Sequence, residues 1–94
     1  MECISELRRR GKALNPITRI GQKGITDSAI FEIRKHIKSK KLIKVKLLKN
    51  FMEGNDKKQV VLELVQKTDS VLIDFVGFTL VLANKEIVFG KNKS

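Results

Sequence analysis

The sequence predicts an α/β two-layer sandwich, in which one sheet of about four strands is covered by helices on one face. Three segments carry apolar residues at the spacing of one helical face, and four short segments are apolar runs or alternate as strands do. The segments follow one another in the order α-β-α-β-α-β-β. A chain of 94 residues can build one hydrophobic core but not two, so we expect a single domain over residues 1–94.

The first helix is expected from Ile4 to Leu14. An inward stripe recurs at helical spacing and consists of Ile4, Leu7, Gly11 and Leu14. The rest of its surface is basic, with Arg8, Arg9, Arg10 and Lys12. These cations fit a solvated helix face as well as a contact surface. Asn15-Pro16 ends the helix, because the residue before a proline is driven out of the α region.

A short strand, a glycine loop and a second helix follow. The strand runs from Pro16 to Ile20 and includes Arg19, and the loop is Gly21-Gln22-Lys23-Gly24. Thr26 is placed to cap a helix that runs to about Lys41. Its buried stripe consists of Ala29, Ile30, Ile33 and Ile37. Its other sides and its end carry Arg34, Lys35, Lys38, Lys40 and Lys41.

The stretch from Leu42 to Leu48 alternates apolar and basic residues, which predicts a half-buried strand. Its inward residues are Ile43, Val45 and Leu47. Lys44 and Lys46 then point away from the core. A connector from Lys49 to Asn55 leads to a turn around Gly54.

Residues 56–68 are compatible with a helix or a strand. The apolar residues have helical spacing and Asp56 with Gln59 would form a capping box, yet Val-Val-Leu-Glu-Leu-Val is also typical of strands. We predict a helix, because it supplies a crossover between neighbouring strands.

The last third of the chain predicts two central strands, from Val71 to Val76 and from Phe78 to Ala83, because both are nearly continuous apolar runs. Gly77 joins them in a kink or tight turn. We expect Ile87 to Phe89 to add a short edge strand, and Gly90 to Ser94 to be a frayed basic tail.

The charge of the chain points to a polyanionic partner. It has 20 Lys and Arg against 10 Asp and Glu, a formal net charge of +10 and a pI of about 10.1. Nucleic acid is the first candidate and an anionic membrane the second. No apolar run approaches the roughly 18 residues of a membrane span, no signal peptide pattern opens the chain, and the single Cys3 fits a reducing compartment. We therefore expect a cytoplasmic protein that does not bind membranes.

The loop Gly21-Gln22-Lys23-Gly24 predicts a phosphate-binding corner. Glycine lacks Cβ, so backbone N–H groups there can approach an anion, and the start of the following helix directs further N–H groups the same way. The pattern matches neither the Walker loop nor the dinucleotide-binding loop. Its spacing fits the G-x-x-G loop of KH-type domains, which clamps the backbone of RNA. By itself this motif is weak, since it also occurs in ordinary turns.

The sequence offers no catalytic or metal-binding constellation, so we expect a non-enzymatic protein without a cofactor. One Cys and one His cannot supply four metal ligands, and nothing marks a nucleophile beside His36, whose ring we expect to be packed. The aromatic residues lie mostly in or beside apolar runs, and we interpret them as core: Phe31, Phe51, Phe75, Phe78 and Phe89. Contacts to RNA would then address phosphates and shape more than bases.

Several ordered landmarks resemble one known family, the CRM domain, named for chloroplast RNA splicing and ribosome maturation. They are Leu7-Arg8, Leu14-Asn15-Pro16, the segment from Ile20 to Thr26, Leu42-Ile43-Lys44-Val45-Lys46 and the segment from Gly77 to Leu82. The resemblance covers roughly residues 4–84. As one domain without a transit peptide, the chain is most similar to the single-domain prokaryotic members.

The resemblance implies a fold like the C-terminal domain of translation initiation factor three. It also implies binding of RNA, and single-domain members are associated with precursors of the large ribosomal subunit. We therefore expect a monomer that binds structured ribosomal RNA during assembly of that subunit. The candidate contact residues are Gly21, Gln22, Lys23, Gly24, Arg8, Arg9, Arg10, Lys12, Arg19, Arg34, Lys35 and Lys38. Two alternatives remain. One is a module that docks on acidic partners of the ribosome, and the other is a DNA-binding protein.

Overall fold

The structure, a computed structural model, describes residues 3–90, and in that range it contains five helices and one four-stranded sheet. The elements are α1 (Ile4–Lys12), β1 (Thr18–Ile20), α2 (Asp27–Lys40), β2 (Leu42–Leu47), α3 (Lys49–Met52), α4 (Lys57–Thr68), β3 (Ser70–Val76), β4 (Thr79–Asn84) and α5 (Lys85–Phe89). The predicted order is confirmed, with the short helices α3 and α5 added. None of the helices in the described range is long and apolar enough to cross a membrane. Of the tail expected from Gly90 to Ser94, all residues after Gly90 lie outside the described range.

The sheet is mixed and has the strand order β1-β2-β4-β3. β1 is parallel to β2, whereas β4 is antiparallel to both of its neighbours. A parallel pair needs a crossover connection, and α2 supplies it. The carboxyl ends of β1 and β2 and the turn between β3 and β4 therefore lie at the same end of the sheet. The glycine loop leaves the sheet at this end.

One face of the sheet packs against α2 and α4. β2 contributes Ile43, Val45 and Leu47, as the alternation predicts, and each is at most 1% exposed. The other buried residues of this core are Ile20, Ile33, Ile37, Met52, Val60, Leu64, Leu80 and Leu82. Burial of this apolar surface fixes α2 in position, and α2 begins directly after the glycine loop.

The opposite face packs against α1 and α5. Leu7 of α1 is fully buried there, in a cluster with Leu42, Ile73, Val81 and Ala83. α1 lies very close to β4, because a Cβ at Gly11 would be 2.8 Å from Cγ1 of Val81. The α/β sandwich is confirmed, and its helices lie on both faces of the sheet rather than on one. Because β4 is apolar on both faces, it needs cover from both sides.

The helix predicted over residues 56–68 is confirmed as α4. Asp56 holds the N-cap position, but its side chain accepts no hydrogen bond, so the predicted capping box is not formed. Thr26 does cap α2, since its Oγ1 accepts a hydrogen bond from the N–H of Ala29 at 3.1 Å.

The edge strand predicted from Ile87 to Phe89 is wrong, because these residues belong to α5. Oδ1 of Asn84 caps this helix by accepting a hydrogen bond from the N–H of Glu86 at 2.7 Å. Ile87 and Val88 both pack against the α1 cluster. Two adjacent residues can share one apolar surface in a helical turn, whereas a strand would send them to opposite faces.

Candidate nucleic-acid interface

The glycine loop is a tight turn between β1 and α2. The N–H of Gly24 donates a hydrogen bond to the carbonyl of Gly21 at 2.8 Å, which closes the turn. Gln22 and Lys23 form the tip and are exposed. Gly24 has a φ of +75°, in the left-handed region that favours glycine. The structure therefore contains the strand, loop and helix that the sequence predicts here.

The tip of the turn presents open backbone donors. Within residues 3–90, the N–H groups of Gln22 and Lys23 have no hydrogen-bond acceptor. Exposed amide donors that face solvent together can bind water or an anion. The first turn of α2 adds the unsatisfied N–H groups that every helix start has. The arrangement suits a phosphate group.

An apolar support beneath the turn fixes its orientation. The N–H of Leu48 donates to the carbonyl of Ile20 at 2.8 Å, immediately before the turn. A Cβ at Gly21 would lie 3.1 Å from Cδ1 of Leu48, and a Cβ at Gly24 would lie 3.4 Å from Cε1 of Phe51. A larger residue at Gly21 would have to displace Leu48. The segment around α3, for which the sequence predicts only a connector, therefore holds the turn in place.

A shallow groove of about 640 Å³ adjoins the turn. Its walls are the turn, the residues of β1 before it and the first turns of α2 after it. The residues that line it include two cations, Arg19 and Lys23, and a single carboxylate, Glu32. Acidic side chains therefore do not crowd the approach to the turn.

A ladder of three cations, Arg19, Lys46 and Lys44, crosses the sheet face that carries α1. Arg19 and Lys46 are register partners in the parallel pair of β1 and β2, so their side chains leave the same face. Lys44 lies two residues further along that face, and its Nζ donates to the carbonyl of Lys12 at 3.4 Å. Both lysines point away from the core beneath α2 and α4, as the alternation predicts. Neither is among the predicted contact residues, although their alternation with apolar residues was the available signal.

The basic residues of α1 lie on this same face of the sheet. Nε of Arg8 donates to the carbonyl of Ile73 at 3.2 Å, which turns this side chain toward β3 and away from the glycine loop. Arg9 forms a close ion pair with Glu6. The hydrogen bond from Arg9, together with its charge, lowers the pKa of the Glu6 carboxyl. Arg10 and Lys12 are exposed, and Lys12 lies beside the cation ladder through its contact with Lys44.

The predicted contact residues of α2 lie elsewhere. Arg34, Lys35 and Lys38 line a second groove of about 1040 Å³ between α2 and α5, near the opposite end of the sheet from the turn. The twelve predicted residues therefore form three groups. The turn and Arg19 line the groove beside β1. The cations of α1 lie on the sheet face that carries the ladder, where Lys12 adjoins it, and the cations of α2 line the second groove.

The phenylalanines do not share one environment. Phe51 and Phe75 pack against the core, as predicted. Phe31 and Phe89 are 67% and 60% exposed, so the core interpretation is wrong for these two. Phe78 is partly exposed, and Nζ of Lys57 lies 5.4 Å from the ring centres of both Phe75 and Phe78. This distance is that of a cation–π contact.

The histidine has a structural partner. Nε2 of His36 lies 3.4 Å from Oε2 of Glu32, one helical turn earlier in α2, and its side chain is about a quarter exposed, at 26%. This agrees with the packed ring that the sequence predicts. In the part of the chain that the structure describes, no three His, Cys, Asp or Glu side chains come together in a way that could hold a metal ion.

Comparison with known proteins identifies the family of the chain. The family model of the CRS1 / YhbY (CRM) domain matches residues 2–83. The fold is similar to the solution structure of hypothetical protein SAV1595 from Staphylococcus aureus, which is described there as a candidate RNA-binding protein. The two have 28% sequence identity and a TM-score of 0.72 over 97% of this chain and 86% of that one. None of the curated proteins compared with the chain matches it. The chain belongs to the CRM domain family, as its ordered landmarks predict.

Proposed function

We propose that this protein is a non-enzymatic RNA-binding protein that binds structured ribosomal RNA during assembly of the large ribosomal subunit. Membership of the CRM family supports RNA as the partner, and so does the similarity to a candidate RNA-binding protein of Staphylococcus aureus. A net charge of +10 provides the long-range attraction that a polyanion needs. The resemblance also implies that single-domain members associate with ribosomal precursors, which supports ribosomal RNA as the kind of RNA that is bound.

The observation that carries the proposal is the exposed turn with open donors. The N–H groups of Gln22 and Lys23 have no acceptor within the described residues, and both side chains are exposed beside them. A phosphate at this position would accept hydrogen bonds from the backbone and meet the charge of Lys23. Hydrogen bonds to a charged group are each worth about 1.5–3 kcal/mol.

The path of the RNA beyond the turn follows from the cations next to it. Arg19 lines the groove beside the turn and also begins the ladder that continues through Lys46 and Lys44. An RNA backbone held at the turn would therefore pass over the edge strand β1 onto the basic sheet face. Such contacts address phosphates and position the RNA, but they do not read its sequence.

A charge reversal at the tip tests the role of the turn. Gln22→Asp combined with Lys23→Asp places two carboxylates where the phosphate would lie, so affinity for a structured ribosomal RNA fragment should fall at least about tenfold. Because both residues are exposed, the thermal unfolding midpoint should not change. The matched control is Lys58→Asp with Gln59→Asp, which makes the same charge change at exposed positions of α4. If filter binding shows the same loss of RNA affinity for both double variants, the turn contributes only a general electrostatic attraction.

Two further measurements separate the alternatives. Duplex DNA that competes as well as structured RNA at equal concentration would favour a DNA-binding protein. A protein that stays in ribosomal fractions after local digestion of the RNA would favour docking on acidic ribosomal proteins. We expect structured RNA to compete more strongly than duplex DNA, and we expect digestion of the RNA to release the protein.

We further propose that the protein acts as a monomer in the cytoplasm. Two chains that each carry a charge of +10 repel one another, which disfavours self-association. Light scattering tests the oligomeric state, and cell fractionation tests whether the protein is found with assembling ribosomes.

A further inference from the structure

The groove between α2 and α5 combines exposed aromatic rings with cations. It has a volume of about 1040 Å³, and both Phe31 and Phe89 line it. These two rings are 67% and 60% exposed, whereas Phe51 and Phe75 pack against the core. Exposed apolar groups that cluster with polar ones commonly mark binding sites.

The charge of this groove is positive and partly uncompensated. Two of its lysines have acidic partners, since Nζ of Lys41 lies 3.6 Å from Glu86 and Nζ of Lys85 lies 2.6 Å from Asp69. Within the described range, Lys35 and Lys38 have no ion-pair partner, although both line the same groove. The free cations therefore lie on the α2 side, which also carries Phe31.

We propose that this groove binds unpaired nucleotides of RNA. Bases would stack on Phe31 and on Phe89, and the adjoining phosphates would meet Lys35 and Lys38. Sites for single-stranded nucleic acid pair aromatic rings with cations in this way, because every base has a face that can stack and every nucleotide carries a charge. A second copy of this chain is a poorer occupant, because its own positive charge would oppose the uncompensated lysines.

The inference rests on the proposed function for its choice of RNA, but it uses none of the residues that line the groove beside the turn. The turn precedes α2, and the residues of α2 that line the groove begin at Phe31, its fifth residue, and extend to Lys38 near its end. The 14 residues of this helix span roughly 20 Å at about 1.5 Å per residue. One RNA could therefore contact the turn through a paired region and present an unpaired segment to the groove.

Two short RNA probes test the site: a single-stranded oligouridine and a blunt-ended duplex. Phe31→Ala and Phe89→Ala should each weaken binding of the oligouridine by about tenfold, the usual scale for loss of a stacked base, and should leave duplex binding unchanged. Phe31→Tyr keeps a ring and should keep the affinity. The control is Leu62→Ala, which removes an apolar side chain of similar exposure, 52%, from α4 outside the groove.

Several outcomes would overturn the inference. Wild-type affinity of both alanine variants for oligouridine would exclude stacking on these rings. A dimeric wild type that becomes monomeric through Phe31→Ala would make the groove an interface between copies. Ultraviolet crosslinking of the unmodified protein to oligouridine, mapped by mass spectrometry, should identify Phe31 or Phe89, and crosslinks confined to other residues would also refute it.

The turn variant separates the two proposals. If Gln22→Asp with Lys23→Asp leaves binding of structured ribosomal RNA unchanged while Phe31→Ala reduces oligouridine binding, the role of the turn fails and the groove stands. If the turn variant loses binding and the phenylalanine variants do not, the groove fails and the proposed function stands.

Discussion

The left-handed backbone of Gly24 allows the role of the turn to be tested by a single substitution. Gly24→Val forces a β-branched residue to a φ of +75°, where such residues are strained by about 1–3 kcal/mol. Its Cβ would also lie 3.4 Å from Cε1 of Phe51, so the branched methyls press on the support beneath the turn. The turn should therefore rearrange, and the open N–H groups of Gln22 and Lys23 should be displaced.

The expected result has two parts. Urea denaturation should show a loss of about 1–3 kcal/mol in the free energy of unfolding, which corresponds to a fall in Tm on the order of 10 °C for a chain of this size. Filter binding should show at least about a tenfold loss of affinity for structured RNA, because one charge-assisted hydrogen bond is worth about 1.5–3 kcal/mol. Gly24→Asn should keep most of the wild-type stability and most of the RNA affinity, since Asn tolerates the left-handed region.

Gly77→Val is the matched control for backbone strain. Gly77 has a φ of +61° in the turn between β3 and β4, at the opposite edge of the sheet from β1, and a Cβ there would meet nothing within 4 Å. Its stability should fall by a similar amount while its RNA affinity stays at the wild-type level. If both variants lose affinity equally, loss of binding reflects general destabilisation. If Gly24→Val keeps wild-type stability and affinity, Gly24 has no special role.

Three other predictions concern salt, packing and pH. The logarithm of RNA affinity should fall linearly with the logarithm of salt concentration, by about 0.7–0.9 per phosphate contact, and a flat dependence would exclude phosphate binding. Gly11→Ala should lower the free energy of unfolding by about 1–3 kcal/mol in urea titrations, because its Cβ would overlap Val81, and Val81→Ala should make the same change less harmful. The hydrogen bond and charge of Lys85 lower the pKa of Asp69, so this pair stabilises the fold above the unfolded-state pKa and loses that contribution as the solution is acidified through the lowered pKa. Asp69→Asn, which suits the φ of +53° at this position, should therefore reduce the acid sensitivity of unfolding, and an unchanged pH profile would contradict the assignment.

Local sequence patterns predicted an element correctly where a helix cap or an apolar stripe marked it. The side-chain cap at Thr26 and the apolar stripe of α2 located that helix, and both are present in the structure. Residues 57–68 form a helix despite their β-branched residues, since helical spacing places Val60 and Leu64 on the same core. The strand predicted from Ile87 to Phe89 is wrong, because three consecutive apolar residues are too few to distinguish the period of a strand from that of a helix.

The candidate site was only partly predictable. The turn was found because its glycines, lysine and following helix are adjacent in the chain. The place of Lys44 and Lys46 beside Arg19 depends on the pairing of β1 with β2, which no local pattern encodes. The exposure of Phe31 and Phe89 was missed for a related reason, since an aromatic residue near apolar neighbours predicts burial unless the packing of the whole domain leaves it outside.

The fold class, the order of the main elements, the basic character and the position of the glycine turn could all be predicted from the sequence. Each depends on residues close together in the chain or on composition alone. The strand order, the covering of both sheet faces and the division of the cations into three groups became visible only in the folded chain. These features depend on contacts between residues far apart in the sequence, and only the packing of the whole chain selects them.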